Sequence, residues 1–140
     1  MSWLKKNKVM VPIDFSEQSF AALAVAREMV EAANQLHVFH VLPMLHPTDP
    51  AVIWNTVTDE SREQKVETVL QEKLAKAGYS GAQINVVIGS PDHEIINYAK
   101  ANDVDLIVMP AHEERGLSFL FGSITEYIVR HAPCSVLVVR

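Results

Sequence analysis

The chain has 140 residues, of which 49% are hydrophobic and 21% are charged, and 12 Lys and Arg against 17 Asp and Glu leave a net charge of −5. This length and composition are those of an ordinary globular protein that buries one core without disulfides or metal, so we expect a single domain over residues 1–140. A net negative charge does not favour binding to nucleic acid or to an anionic membrane, so we expect neither partner. No apolar run approaches the roughly 18 residues that span a bilayer, so we expect no transmembrane segment.

Short apolar runs alternate with longer amphipathic segments, beginning with VMVPI at residues 9–13. Continuous apolarity is typical of a strand buried on both faces, and Pro12 falls at its C-terminal end, where the hydrogen-bond ladder finishes. Ser16 is a good N-cap for a first helix, which the spacing of apolar residues extends to about Asn34. The run LHVFHVL, Leu36–Leu42, then predicts a second strand.

A proline-rich loop over residues 43–58 separates this strand from a second amphipathic helix, predicted over Asp59–Lys76 and ended by Gly78. The run INVVI at residues 84–88 predicts a third strand. The sequence GSP at residues 89–91 then supplies a turn glycine, an N-cap serine and a proline at the first helical position, which together indicate the start of a third helix.

The run VDLIVM at residues 104–109 predicts a fourth strand, which is followed by a fourth helix from about residue 123 to 131 and a last strand, Ser135–Val139. Five strands alternating with four helices are typical of an α/β protein, in which right-handed crossovers place helices on both faces of an open five-stranded parallel sheet. The one cysteine, Cys134, cannot form an internal disulfide, and no signal-peptide pattern opens the chain, so we expect a reducing, cytoplasmic compartment.

Ligands of open parallel sheets bind beyond the carboxyl ends of the strands. Asp14 closes the first strand, where its carboxylate could accept hydrogen bonds from a ribose hydroxyl or an adenine amine, or could simply start the turn into the first helix. The loop after the fourth strand is predicted to span about a dozen residues, and Gly122 and Ser123 lie where it meets the fourth helix. They could hold an anion at the positive helix end, or Ser123 could be an ordinary N-cap; position alone leaves both alternatives open.

The sequence does not indicate metal binding or catalysis. There are six histidines, but His37 and His40 lie three apart on a predicted strand and so point to opposite faces, and no Cys/His spacing fits a structural zinc site. Ser118 and Ser123 have no nucleophile-elbow context, and no carboxylate pair is placed for acid–base work. The one enzymatic alternative is slow ATP hydrolysis, for which His112 is the candidate water-positioning group.

Five segments in this order resemble the universal stress protein family over nearly the whole chain: VMVPIDFSEQSFAAL, the HV at 40–41, VIGSPDHEIINYA, DVDLIVM and GSITEYIVRHAPCSVLVV. The resemblance implies an adenine-nucleotide α-hydrolase-like (Rossmann-like) fold with strand order 3-2-1-4-5. It also implies a homodimer in which the last strands pair antiparallel across a twofold axis, although Ser135 stands where the family commonly has proline. An apolar last strand would leave an unprotected sheet edge in a monomer, which points to the same dimer.

Members of this family divide into nucleotide binders and non-binders, and in the binders the loop after the fourth strand reads G-x2-G-x9-G-[S/T]. Here the first glycine position is Pro110, which has no N–H to donate, and the second is Glu113, which adds a negative charge. Only eight residues separate Glu113 from Gly122, one fewer than the pattern. A like charge close to a triphosphate costs on the order of 1 kcal/mol or more once it is partly desolvated.

The resemblance therefore implies a stress-response regulatory module with weak or absent ATP binding, and AMP or another adenine compound as a remaining ligand. The alternative is an adenine-nucleotide switch that binds ATP with Mg²⁺ or AMP through Asp14, Val41 and the loop 110–123, with Arg115 and Gly116 offsetting the lost glycines. The site residues that the resemblance suggests are Pro12, Asp14, Val41, Met109, Arg115, Gly122, Ser123 and Ile124.

Overall fold

A computed structural model describes residues 4–45, 48, 58–111 and 118–140, with the backbone alone for 118–123. The described chain forms one five-stranded sheet in the order β3-β2-β1-β4-β5, and every neighbouring pair of strands is parallel. Its strands are β1 (Val9–Pro12), β2 (Leu36–Leu42), β3 (Gln83–Ile88), β4 (Leu106–Pro110) and β5 (Ser135–Val139). The sheet and its strand order confirm the predicted fold class.

Four α-helices and a short 3-10 helix, Ala33–Gln35, connect the described strands. The helices are α1 (Glu17–Glu28), α2 (Asp59–Lys76), α3 (Pro91–Ala101) and α4 (Ser118–His131). The predicted starts of the first three are confirmed. The Ser16 side chain accepts from the N–H of Ser19, Thr58 and Ser61 bond each other's backbone N–H reciprocally, and Pro91 is the first residue of α3.

The helices cover both faces of the sheet, which is why the strands are apolar in continuous runs rather than alternately. On one face α1 and α2 pack through Leu23 and Leu70 onto strand residues that include Val11. On the other face α3 and α4 pack through Ile95 and Ile128 onto strand residues that include Met10, Phe39 and Ile107. Because successive strand residues point to opposite faces, Met10 and Val11 belong to different cores.

Two predicted boundaries at the amino edge of the sheet were wrong by two or more residues. The first helix ends at Glu28 and not near Asn34, because the chain turns there and the side-chain oxygen of Gln35 accepts from the backbone N–H of Glu31 and Ala32. The fourth strand begins at Leu106, two residues later than predicted, because the Asp105 carboxylate is occupied with the backbone N–H groups of residues 7 and 8. Local side-chain bonds of this kind compete with regular structure and leave little trace in hydrophobic periodicity.

The start of the fourth helix was also predicted wrongly. Helix α4 begins at Ser118, so the connection from β4 covers residues 111–117 only, and Gly122 and Ser123 lie in the second turn rather than at the helix start. In the sequence Leu120 continues the spacing of four that links Ile124 and Ile128, and this stripe runs past the glycine. A glycine inside a helix costs only about 1 kcal/mol relative to alanine, so it need not end the element.

Candidate functional site

A pocket of about 130 Å³ opens at the carboxyl ends of β1, β2 and β4, between these strands and helices α3 and α4. This is the edge at which ligands of open parallel sheets bind. Five residues suggested from the sequence line it: Pro12, Asp14, Val41, Met109 and Ile124. Of the other three, Gly122 and Ser123 have only their backbone described, and Arg115 lies outside the described residues.

The walls of this pocket are mostly apolar. Val41 and Met109 come from the strand ends, Pro91 and Ile95 from α3, and Ile124 from α4. Ligand pockets of proteins usually measure about 300–1,000 Å³, so a volume of about 130 Å³ suits a fragment such as one planar ring system better than a whole nucleotide.

Asp14 supplies the carboxylate at the exposed rim of the pocket. Its Oδ1 atom accepts from the backbone N–H of Ser16 at 3.0 Å and from the Ser16 hydroxyl at 2.5 Å. Ser16 also caps α1, so the carboxylate is tied to the start of that helix. Both readings of Asp14 are therefore compatible with the geometry: it starts the turn, and it lines the pocket.

His40 is a pocket residue that the sequence reasoning missed, because it weighed His40 only as a metal ligand. It lines the pocket from β2, and its Nδ1 atom lies 2.5 Å from the carbonyl oxygen of Ile13. The available signal was its place in the sequence: a polar residue near the carboxyl end of a mostly apolar strand, beside Val41. Its ring also meets the ring of Phe15 edge-on, with centroids 4.9 Å apart.

Where the structure describes it, the side of the pocket at the end of β4 is poor in free hydrogen-bond donors. Pro110 lines the pocket as the last residue of β4 and has no N–H. The N–H of the next residue, Ala111, donates to the carbonyl oxygen of Val139 at 2.8 Å and so continues the pairing with β5. The last residue of β4 and the first residue of this loop therefore have no N–H left for a phosphate. Glu113, like His112 and Gly116, lies outside the described residues.

A second polar cluster lies at the other end of β2. His37 is 5% exposed, and its Nδ1 atom is 2.7 Å from the hydroxyl oxygen of Tyr98, which accepts from the Asn85 amide at 2.8 Å. The amide nitrogen of Asn85 only donates, whereas the direction of the bond between Tyr98 and His37 depends on the tautomer of the histidine. Burial, and secondarily the charge of Lys8, lowers the pKa of His37 below its ordinary value.

Within the described ranges no group of three or more His, Cys, Asp and Glu side chains is arranged to hold a metal ion. None of the helices found there has the length and apolar content needed to cross a membrane.

Comparison with known proteins places these features in a family. The model of the Universal stress protein family matches residues 6–140. The chain belongs to this family. A universal stress protein of Synechocystis is 30% identical over 151 residues, which cover 96% of this chain and 97% of that protein. The similarity therefore extends over both chains almost completely.

Solved structures agree with the observed topology. The universal stress protein UspA from Lactobacillus plantarum superposes with a TM-score of 0.71 at 27% identity, covering 97% of this chain and 99% of the other. A universal stress protein family member from Arabidopsis thaliana, solved with AMP bound, gives a TM-score of 0.61 at 20% identity, covering 95% of this chain and 90% of that one. At that identity the second likeness concerns the fold alone.

Proposed function

We propose that the chain is a single-domain, dimeric regulatory module of the stress response whose pocket takes the base-and-ribose end of an adenine compound and gives the phosphates of ATP little support. The observation that carries this proposal is the unequal chemistry of the two sides of the pocket. Apolar walls and a carboxylate meet at the ends of β1 and β2, whereas the end of β4 lacks free N–H donors.

The base side has the properties of an adenine site. Flat apolar surfaces from Val41, Met109 and Ile124 suit the faces of a purine, and Asp14 at the rim is an acceptor for an amine or for ribose hydroxyls. The AMP-bound relative from Arabidopsis thaliana supports this choice of ligand, since it shares the fold.

At the described end of β4, the phosphate side does not offer the N–H groups that bind anions elsewhere. Oligophosphates are usually held by a series of backbone N–H groups at a glycine-rich turn that leads into a helix. Pro110 has no N–H, and the N–H of Ala111 is used by Val139. Each additional phosphate of ATP therefore adds charge without adding a strong contact, so we expect ATP to bind no more tightly than AMP.

Isothermal titration calorimetry with adenosine, AMP and ATP–Mg²⁺ tests this order directly. We expect adenosine and AMP to bind with similar affinity and ATP–Mg²⁺ to bind equally or more weakly. ATP–Mg²⁺ binding below 10 μM, roughly −7 kcal/mol, with a clear advantage over AMP would contradict the proposal and favour the nucleotide-switch alternative. If none of the three compounds bound, the proposed adenine site would be refuted, and the protein would be a regulatory module that binds no nucleotide.

The dimer is proposed from the outer edge of β5. In the described sheet β5 pairs with β4 on one side only, and the apolar Leu137 of this strand is 36% exposed. An apolar edge strand of this kind is a template for pairing with a second chain. Antiparallel pairing of two β5 strands would cover the edge of both.

Sedimentation velocity of Leu137→Glu tests the dimer. We expect the wild type to sediment as a dimer and the variant to shift to monomer at the same concentration, because two like charges would face each other across the twofold axis. Val69→Glu is the matched control, since Val69 is 43% exposed on α2 and away from β5. A monomeric wild type, or a dimer that Val69→Glu disrupts equally, would argue against the β5 interface.

A further inference from the structure

His40 holds the chain at the point where it leaves β1 for the pocket. Strand β1 ends at Pro12, and the N–H of Ile13 still pairs with the carbonyl oxygen of Phe39 at 2.7 Å. The carbonyl oxygen of Ile13 is bonded instead by the His40 imidazole. Because a carbonyl oxygen only accepts, Nδ1 of His40 carries a proton and donates it.

The same ring also contacts Phe15, the residue that follows Asp14. Phe15 has a φ of +67°, a left-handed conformation that is an outlier for a bulky side chain and persists only where its surroundings hold it. Its ring packs edge-on against His40, with centroids 4.9 Å apart, and more distantly against Phe20 at 6.4 Å. His40 thus contacts the residues on both sides of Asp14, one by a hydrogen bond and the other by ring packing.

The Asp14 carboxylate accepts hydrogen bonds from Ser16, a residue of its own turn. Those bonds orient the carboxylate relative to its own turn but do not connect the turn to the sheet. The bond from His40 to Ile13 adds a side-chain connection to β2 beside the backbone bond from Ile13 to Phe39, and β2 itself is paired with β1 on one side and β3 on the other. A side chain on a central strand is a rigid reference for a rim residue on a loop.

We propose that His40 is a positioning residue, which fixes the Asp14 carboxylate at the pocket rim mainly through its hydrogen bond to the carbonyl of Ile13, with the contact to the Phe15 ring contributing less. This inference rests on the proposed adenine-compound site for its consequence in binding. The rival explanation is that His40 contacts the ligand itself, because its side chain also lines the pocket.

Two variants separate these explanations. His40→Asn removes the ring but keeps an N–H donor, since the amide nitrogen of asparagine is as many bonds from the backbone as Nδ1 of histidine. His40→Leu keeps bulk and removes the donor. The first readout is amide hydrogen exchange of Ser16, whose N–H is bonded to Asp14, measured against the core amide of Ile107 without ligand. The second readout is AMP affinity by calorimetry.

We expect His40→Leu to accelerate Ser16 exchange by roughly tenfold relative to Ile107 and to weaken AMP binding by a similar factor, about the worth of one lost hydrogen bond. His40→Asn should stay within roughly threefold of the wild type in both readouts. Referring exchange to Ile107 separates a local effect from a general loss of stability.

The two proposals fail in different ways. If the wild type binds no AMP, the adenine site is refuted, and Ser16 exchange alone decides whether His40 positions Asp14. Unchanged Ser16 exchange in His40→Leu would overturn the positioning role. So would a His40→Asn variant that binds AMP as weakly as His40→Leu while Ser16 stays protected, because the ring itself would then be what the ligand needs.

Discussion

The two ends of β2 carry the same residue in opposite circumstances. At the amino end His37 is buried, and it bonds Tyr98, which in turn bonds Asn85, so the cluster consists of protein groups that serve one another. At the carboxyl end His40 and Asp14 border an open pocket with apolar walls. One histidine lies within a closed network, and the other lies at a site that a ligand can enter.

This difference separates a structural polar cluster from a functional one. Buried polar groups that are all bonded offset the cost of their desolvation and fix the packing of α3 on the sheet. Polar groups around an apolar pocket at the carboxyl edge instead have the arrangement typical of ligand sites. Changes at the amino end should therefore alter stability without altering binding, and changes at the carboxyl end should do the reverse.

The largest effect on stability is expected from Tyr98→Phe. The ring and its packing on Phe39 remain, but His37 and Asn85 both lose the hydroxyl that they bond. An unsatisfied buried polar group costs about 1–3 kcal/mol, so we expect a loss of that size in urea denaturation and an unchanged AMP affinity.

Tyr127→Phe is the matched control for this change. Its hydroxyl lies 3.4 Å from Nδ1 of His93 in an exposed contact between α3 and α4, so its removal should change the free energy of unfolding by less than about 0.5 kcal/mol. Equal losses of the free energy of unfolding in the two variants would mean that the hydrogen bonds of Tyr98 stabilise the protein no more than an exposed contact does.

A smaller loss of stability is expected when the pH is lowered, because of His37. Burial lowers the pKa of His37 below its ordinary 6.5 in the folded protein, so at acid pH the unfolded chain binds more protons than the folded one. The contribution of neutral His37 to the free energy of unfolding is fully present above about pH 6.5 and is lost as the pH falls below that value. One histidine changes the free energy of unfolding by at most about 1.4 kcal/mol per pH unit.

Urea denaturation at pH 7.0 and 5.5 in the wild type and in His37→Gln measures this contribution. The variant is expected to be less stable at pH 7.0 but to lose less on acidification, because a side chain that does not titrate has replaced one that prefers to be neutral when buried. The same loss on acidification in both proteins would show that other groups carry the pH dependence.

Most of the fold could be predicted because it depends on long apolar patterns. The bounds of β2, α2 and β5 agree with the prediction residue by residue, since each element combines a clear apolar pattern with well-marked ends. The errors fall where short-range bonds or a tolerated glycine decide, as at Gln35, Asp105 and Gly122. Such bonds involve single side chains, which periodicity does not register.

The candidate site could be predicted only in part, and for a similar reason. Asp14, Val41 and Pro110 could be placed because strand ends in a parallel sheet converge on one edge. That the N–H of Ala111 is used by Val139 could not be foreseen, because it depends on how far β4 and β5 continue to pair. The role of His40 depends on a contact between residues 27 positions apart in the chain, which no local pattern contains.

The smallest effect on stability is expected at the carboxyl end, from Asp14→Ala. Asp14 is exposed, and Ser16 remains to cap α1 through its own side chain, so the free energy of unfolding should change by less than about 1 kcal/mol. AMP affinity should nevertheless fall by about tenfold or more, since an acceptor for the base or ribose is removed. Asp59→Ala, an exposed carboxylate in the first turn of α2, should leave AMP affinity unchanged. If Asp14→Ala instead destabilised the protein as much as Tyr98→Phe while AMP still bound, the rim carboxylate would be structural, and the contrast between the two ends of β2 would fail.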